Sequence, residues 1–249
     1  MAKQRLDIIL VDRGLFPSRE QAQRAIRAGW VRVDGQVLDK PSQEVKQEQV
    51  ITVQERSPFV SRGGEKLIGA LQNFAIPVSD RLCLDGGIST GGFTDCLLQL
   101  GAKRIYGVDV GYGQVAWSIR CDPRVILKER TNLRYLTPEA LYGQGYNPAE
   151  MADFAVLDLS FISLTKVLPA LWHLLRPPRE ALLLVKPQFE AERSQIGKNG
   201  IVRDLRIHEQ ALTKVSSVAE SIGWQKKGTI PAPIKGRSGN QEYWLWLTI

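Results

Sequence analysis

The sequence predicts an α/β fold: a mostly parallel sheet of seven strands with helices packed on it, behind a small α+β module. Three observations carry that prediction. From residue 63 onward, apolar runs of strand length alternate with stretches of helical spacing, the order expected of a parallel sheet with crossover helices. Four of the runs close on a charged residue, at Asp85, Asp109, Asp158 and Lys186, and ligands of such sheets sit beyond the carboxyl ends of the strands. The first 55 residues read differently, as two short helices followed by strands of period two.

Leu6, Ile9 and Leu10 share one helical face, and Gly14 stops that helix. Ser18 and Gln21 then form a capping-box signature for a second helix running to about Ala28, which Gly29 ends. Trp30, Val31 and Val33 lead into Asp34 and Gly35, a strong hairpin signal; residues 36–38 return, and 50–53 add another short strand. On the second helix Ala22, Ala25 and Ile26 turn inward. Arg19, Gln23, Arg24 and Arg27 stay outside, joined by Arg5, Arg13 and Arg32, and such a face is either a solvated surface or one built to meet phosphates.

The stretch QERSPFVSR reads as a connection, because Pro58 interrupts regular structure while Phe59 and Val60 can pin it to one side. The expected division is 1–55, a linker at 56–62, and 63–249. RGGEKL then opens a helix continuing through Ile68, Leu71 and Phe74. Lys66 sits just inside its start, where a positive charge works against the helix dipole at a cost of a few tenths to about 1 kcal/mol, which invites a functional reason.

Residues 81–111 are the centre of the larger part: a strand, a glycine loop, a helix and a second strand. Asp85, Gly86, Gly87, Ser89, Thr90, Gly91, Gly92 and Phe93 form the expected cofactor loop, whose glycines let a ligand approach the main chain closely. Asp109, some twenty residues beyond, stands where an acid accepts hydrogen bonds from a ribose. There is no G-x-G-x-x-G, and no lysine follows the glycines as in a Walker loop. Two strand-end acids suit the cationic amino-acid and ribose ends of S-adenosylmethionine better than a pyrophosphate.

After a third strand at 125–127, Asn132 is placed either to bond an adenine edge or to cap a turn. Residues 134–152 are loop-rich, and 154–157 is a fourth strand whose next residue, Asp158, meets the crevice. A helix at 164–175 ends at Pro177 and Pro178, and a fifth strand at 182–185 closes on Lys186. Burial there disfavours an ammonium and suits the amine to take up a proton. Residues 188–203 are either a flap that closes over substrate or an ordinary long loop. Asp204 caps a helix at 205–222, and 224–230 and 242–249 are the last two strands. An antiparallel final strand brings its first residue, Glu242, back to the edge that carries Lys66, Asp158 and Lys186. Its run Tyr243, Trp244, Leu245, Trp246, Leu247 is expected to fill core, while Lys235 and Arg237 lie in a tip where RNA backbone can pass.

With 249 residues and 43% hydrophobic content the chain can bury a sizeable core in one or two domains. A net charge of +7 and a pI near 9.4 favour a polyanionic partner. The amino-terminal apolar positions are interrupted by Asp7, Asp12 and Arg13, which argues against a secretory signal or membrane span, so the cytoplasm is the expected location. Cys83, Cys96 and Cys121 are widely spaced and form no C-x-x-C, and His173 and His208 are far apart, so neither a disulfide framework nor a metal is expected.

Two resemblances sharpen this reading. Two short helices followed by R-x-G-W-V-x-V-D-G and small strands resemble the S4 RNA-binding module over residues 1–55. The set Lys66, Asp158, Lys186 and Glu242 resembles the Lys-Asp-Lys-Glu tetrad of FtsJ-like RNA 2′-O-methyltransferases. With SRGGEKL, LDGGISTGGFTDCLLQLGA, LDLSFISL and LLVKPQFE, the whole chain looks like a member of the TlyA family of S4-containing rRNA methyltransferases, some of which are named hemolysins. The resemblance implies a Rossmann-like methyltransferase sheet with its last strand antiparallel, S-adenosylmethionine as cofactor, no metal, and a cytidine ribose in ribosomal RNA as target. It also implies that a chain without a C-terminal extension has the narrower, large-subunit activity. The contrasting expectation is an RNA-binding or membrane-active protein whose methyltransferase-like domain is not catalytic.

Overall fold

The computed structural model describes residues 3–53, 57–236 and 238–249. Arg237, one of the expected RNA contacts, lies outside the described residues. The chain divides into two compact units, residues 1–56 and 57–249.

The smaller unit runs β1 (Lys3–Arg5), α1 (Leu6–Asp12), α2 (Arg19–Arg27), β2 (Val31–Val33), β3 (Gln36–Val37), β4 (Glu44–Lys46) and β5 (Ile51–Val53). Ser18 caps α2 by accepting a hydrogen bond from the Gln21 backbone N–H. The two central hairpin residues, Asp34 and Gly35, both have positive φ, at 48° and 81°, as a type I′ turn requires. Its core is Leu6, Ile9 and Leu10 of α1, Ala22, Ala25 and Ile26 of α2, and Val31, Val33 and Val45 from the strands. Two strands had no sequence signal: β1 pairs antiparallel with β4, forming a two-stranded sheet beside the three-stranded order β3-β2-β5.

The larger unit continues with α3 (Arg62–Phe74), β6 (Leu82–Gly86), α4 (Gly92–Gln99), β7 (Arg104–Val108), α5 (Trp117–Arg120), β8 (Val125–Lys128) and α6 (Pro138–Tyr142). β9 (Phe154–Leu157), α7 (Leu168–Leu174), β10 (Glu180–Val185), α8 (Pro187–Glu190), α9 (Leu205–Ile222), β11 (Gln225–Pro231) and β12 (Tyr243–Thr248) complete it. The strands form one sheet in the order β11-β12-β10-β9-β6-β7-β8. Pairing is parallel from β10 to β8, and β12 runs antiparallel to both its neighbours.

Alternate residues of each strand point to opposite faces. Leu84, Leu157, Leu183 and Leu245 pack with α7 and α9 on one face. Cys83, Val156, Leu182, Leu184 and Trp244 pack with α3 and α4 on the other. With both faces covered, these strands read as unbroken apolar runs. Ser57 onward belongs to this unit for a physical reason: the Phe59 ring lies against Gly64, where a Cβ would come within 2.2 Å of it. Val60 N–H also donates to Asp95 at 2.7 Å.

Segment 188–203 is tied at both ends. Glu190 is buried, accepting from Ser163 Oγ and from the Leu164 N–H, and Asn240 accepts from Val202 N–H and donates to the Gly200 carbonyl. Among the described residues no helix is long and apolar enough to cross a membrane, and no cluster of His, Cys, Asp and Glu is arranged to hold a metal.

Candidate active site

The parallel strands end together, so the residues just past them share one edge. Register does the rest on the antiparallel side: Val185 is paired with Tyr243, which sets Lys186 and Glu242 at the same end of β10 and β12. Glu242 is buried, and Lys66, one turn into α3, donates to its Oε2 at 2.6 Å. Lys186 is 8% exposed; its Nζ lies 2.5 Å from Asp158 Oδ1 and donates to Ser160 Oγ at 3.0 Å. The four residues thus form two lysine–carboxylate pairs, and burying an ammonium beside a carboxylate offsets part of the desolvation each would suffer alone.

These pairs line a cavity of about 420 Å³, together with Ser61, Phe93, Phe161, Gln188 and Lys235. A larger cavity of about 1020 Å³ adjoins it and contains Asp109, Gln114, Asn132 and Leu133. Gly87, Ser89, Asp158, Ser160, Phe161, Gln188 and Phe189 border both. Pockets for nucleoside-sized ligands run to roughly 300–1,000 Å³, so the larger cavity has room for one.

The glycine loop between them is shaped by close contacts. A Cβ at Gly87 would stand 2.6 Å from the Asp158 carbonyl oxygen, and Gly91, in the left-handed region at φ +94°, begins α4 against Ile119. Asp109 Oδ2 accepts from the Ser89 N–H at 2.8 Å and Oδ1 from the Gly111 N–H at 2.7 Å, which fixes its carboxylate at the cavity wall. Asn132 Oδ1 accepts from the Arg134 N–H, so it caps the turn after β8 while also lining the cavity.

Asp85, Gly86 and Gly91 line neither cavity among the described residues. Asp85 lies fully buried beneath the loop, where Thr94 Oγ1 donates to its Oδ2 at 2.7 Å and Oδ1 has no hydrogen-bond partner among the described residues. Burial pushes its carboxyl up to about 7, against the Thr94 hydrogen bond and with help from the Asp158 charge. Glycines without room for side chains and a fixed Asp109 at the cavity wall fit a cofactor that carries a ribose, while Asp85 supports the loop from beneath.

Several site residues had no separate sequence signal. Ser160 is legible only as a neighbour of Asp158. Phe161 is 91% exposed at φ +64°, a conformation costly for a bulky residue, with its ring 5.2 Å from that of Phe189.

In the smaller unit, Arg27 is exposed, Arg24 pairs with Glu20, and Arg32 donates to the Gly35 carbonyl. Arg5 and Arg19 are held differently: both donate to Asp7, a fully buried carboxylate that also accepts from Gln23. Those guanidiniums are half-exposed, so each still presents an edge to solvent.

The FtsJ-like methyltransferase family matches residues 59–249, and the S4 domain matches residues 4–51. The chain is 48% identical over 246 residues to the 16S/23S rRNA (cytidine-2′-O)-methyltransferase TlyA of Mycobacterium tuberculosis, covering 98% of this chain and 89% of that protein. It is 34% identical to the 23S rRNA (cytidine-2′-O)-methyltransferase TlyA of Campylobacter jejuni, over 76% of this chain and 70% of that one. Among solved structures, a hemolysin candidate from Streptococcus thermophilus superposes with a TM-score of 0.75 at 43% identity, covering 100% of this chain and 89% of the other. The chain belongs to the FtsJ-like methyltransferase family, in the TlyA group that carries an S4 domain.

Proposed function

We propose that this protein methylates the 2′-hydroxyl of a cytidine in ribosomal RNA, using S-adenosylmethionine, with large-subunit RNA as the first substrate. The observation that carries the reading is the meeting of two lysine–carboxylate pairs, at 2.6 and 2.5 Å, in a cavity that shares a wall with the one holding Asp109. Large-subunit RNA is named for both relatives.

When bound in the larger cavity, S-adenosylmethionine supplies a methyl group made electrophilic by its sulfonium. Asp109 would hold the ribose and the glycine loop would let the ligand lie against the backbone. A ribose hydroxyl is a weak nucleophile, so its proton must leave as the oxygen attacks. Lys186, having first released a proton to solvent, takes the hydroxyl proton on its neutral Nζ, with Asp158 and Ser160 keeping the side chain aimed. Lys66, held by Glu242, orients the hydroxyl and offsets charge developing on its oxygen. Much of the barrier reduction comes from holding two reactants in line.

Phe161, almost wholly exposed at the mouth of both cavities, offers an aromatic face to an unstacked nucleoside. The S4 module would bring the RNA through Arg5, Arg19, Arg24, Arg27 and Arg32, with Lys235 and Arg237 of the larger unit as further contacts. The cytoplasm, where ribosomal RNA resides, is the compartment this implies.

The test is incubation of the purified chain with ribosomal subunits and methyl-labelled S-adenosylmethionine, followed by mapping of methylated nucleotides. Label in a cytidine ribose of large-subunit RNA is expected. Label confined to bases, or no label despite cofactor binding by calorimetry, would overturn the reading in favour of a non-catalytic RNA-binding role.

A further inference from the structure

The face beside the larger cavity carries aromatic rings that the site already described does not use. Trp117 is 77% exposed and Tyr112 is 65% exposed, and neither lines either of the two cavities described above. Of the six tryptophans, Trp117 alone is exposed. Burying such rings elsewhere in the core would be favourable by hydrophobic transfer, so leaving them in water at one place marks a contact surface.

The surface is built and not loose. Arg130 N–H donates to the Gly111 carbonyl at 3.0 Å and Thr131 N–H to the Asp109 carbonyl at 2.9 Å, which locks the turn after β7 to the turn after β8. Glu129 Oε1 accepts from the Gly113 N–H at 2.8 Å and from Arg120 at 2.6 Å, and Arg120 is in the same short helix as Trp117. The Arg130 guanidinium lies 4.2 Å from the centre of the Tyr112 ring. Nearby, Arg134 stacks 5.1 Å over Tyr135, itself 69% exposed.

Charge says what the surface would meet. Between residues 110 and 135 five basic residues face two acidic ones. Both acids are taken, Asp122 by Arg124 and Glu129 by Arg120, which leaves Lys128, Arg130 and Arg134 outside any ion pair among the described residues. Cations set beside exposed aromatic faces are the chemistry of unpaired nucleic acid, with bases stacking on rings and phosphates drawn to guanidiniums. Val110, Gln114 and Arg134 line the larger cavity, so the surface is continuous with its rim.

We propose that Tyr112 and Trp117, with Arg130, form a stacking platform for unpaired bases of the RNA substrate, a second RNA contact on the larger unit apart from the S4 module. The proposal rests on the RNA methyl-transfer reading, and the experiment separates the two. Full-length wild type and the Tyr112→Ala/Trp117→Ala double variant are compared on intact large ribosomal subunits for methyl transfer, and for S-adenosylmethionine affinity by calorimetry. KM for the subunit is expected to rise at least about tenfold, since losing one stacked base costs on the order of 5- to 150-fold. kcat at saturating subunit and cofactor affinity stay as in wild type, and Trp117→Phe, which keeps a ring, stays near the wild-type KM. Independently of turnover, bound subunits are expected to shield Trp117 fluorescence from iodide.

An unchanged KM with undiminished iodide quenching overturns the platform while leaving the methyltransferase reading intact. Wild type that labels no RNA removes the methyltransferase reading, and the iodide measurement then still decides the platform. Sedimentation showing a wild-type dimer that the double variant dissociates, with KM unchanged, would assign the surface to a second copy of the chain and overturn the proposal.

Discussion

Asp7 and Asp85 are both wholly removed from solvent, and the molecule treats them in opposite ways. Asp7, in α1 of the smaller unit, accepts from Arg5, Arg19 and Gln23, and the Arg5 hydrogen bonds lead in holding its carboxyl well below the usual range. Asp85, at the end of β6, has Thr94 and an unfilled oxygen, and burial drives its carboxyl up. One charge is fully met from within and acts as a clasp between α1 and α2. The other lies beneath the glycine loop with one oxygen unpaired among the described residues. A buried carboxyl that is satisfied internally and keeps its charge marks architecture, and one pushed toward its neutral form at a strand end marks a site.

Substitutions can break that contrast, and the largest effect is expected at the site. Lys186→Ala should cut methyl transfer by about 10²- to 10⁴-fold, the usual worth of a general base. Cofactor affinity and thermal midpoint should remain near wild type. Retained turnover would remove Lys186 as the base, and a large fall in the midpoint instead would mean that the edge is held together by its charges, as the smaller unit is.

Next comes Asp7→Ala, expected to destabilise the smaller unit by roughly 2–4 kcal/mol, less than a fully buried pair would cost because both guanidiniums can re-enter water. Hydrogen exchange of α1 and α2 amides should quicken while β6 to β10 stay protected. Because its folded carboxyl is depressed, Asp7 contributes stability that is present above the unfolded value, about 3.9, and is lost as pH falls toward the folded one. Equal protection in the variant would make the clasp incidental.

Asp85 runs the other way. Its folded carboxyl, up to about 7, keeps the proton that the unfolded chain gives up near 3.9, so this group removes stability progressively between pH 4 and 7, by on the order of a few kcal/mol. Thermal midpoints of Asp85→Asn over that range should lack this decline. Parallel curves for variant and wild type would show that Asp85 is already satisfied.

The smallest expected change is Ser160→Ala, which removes one hydrogen bond to Lys186 and should lower kcat by about tenfold with substrate and cofactor affinities unchanged. A rate equal to wild type would leave Asp158 as the sole support of that lysine.

What could be read from the chain beforehand divides along physical lines. The Ser18 cap and the Asp34-Gly35 turn are local chemistry, and both appear where expected. Unbroken apolar runs marked the buried strands because both faces of the sheet are covered. By contrast, β1 and β4 are three residues each, KQR and EVK, and carry no apolar alternation to announce them. All four residues of the two ion pairs stood out at strand or helix ends, yet who pairs with whom did not. Lys66 and Glu242 are 176 positions apart, and only the β10–β12 register brings the second to the first. The clasp on Asp7 was hidden for a related reason: helical periodicity identifies a buried face, and an aspartate at its border reads as surface.

Gly87 has a consequence for how this chain can vary. A Cβ at this position would stand 2.6 Å from the backbone oxygen of Asp158, so the glycine loop and the strand end that steadies Lys186 meet there with no room for a side chain. A single added methyl would push on both sides of that seam, blunting donor affinity and proton transfer in one step. Sequence drift can therefore retune either side separately at many positions, while at residue 87 the two properties are inherited together.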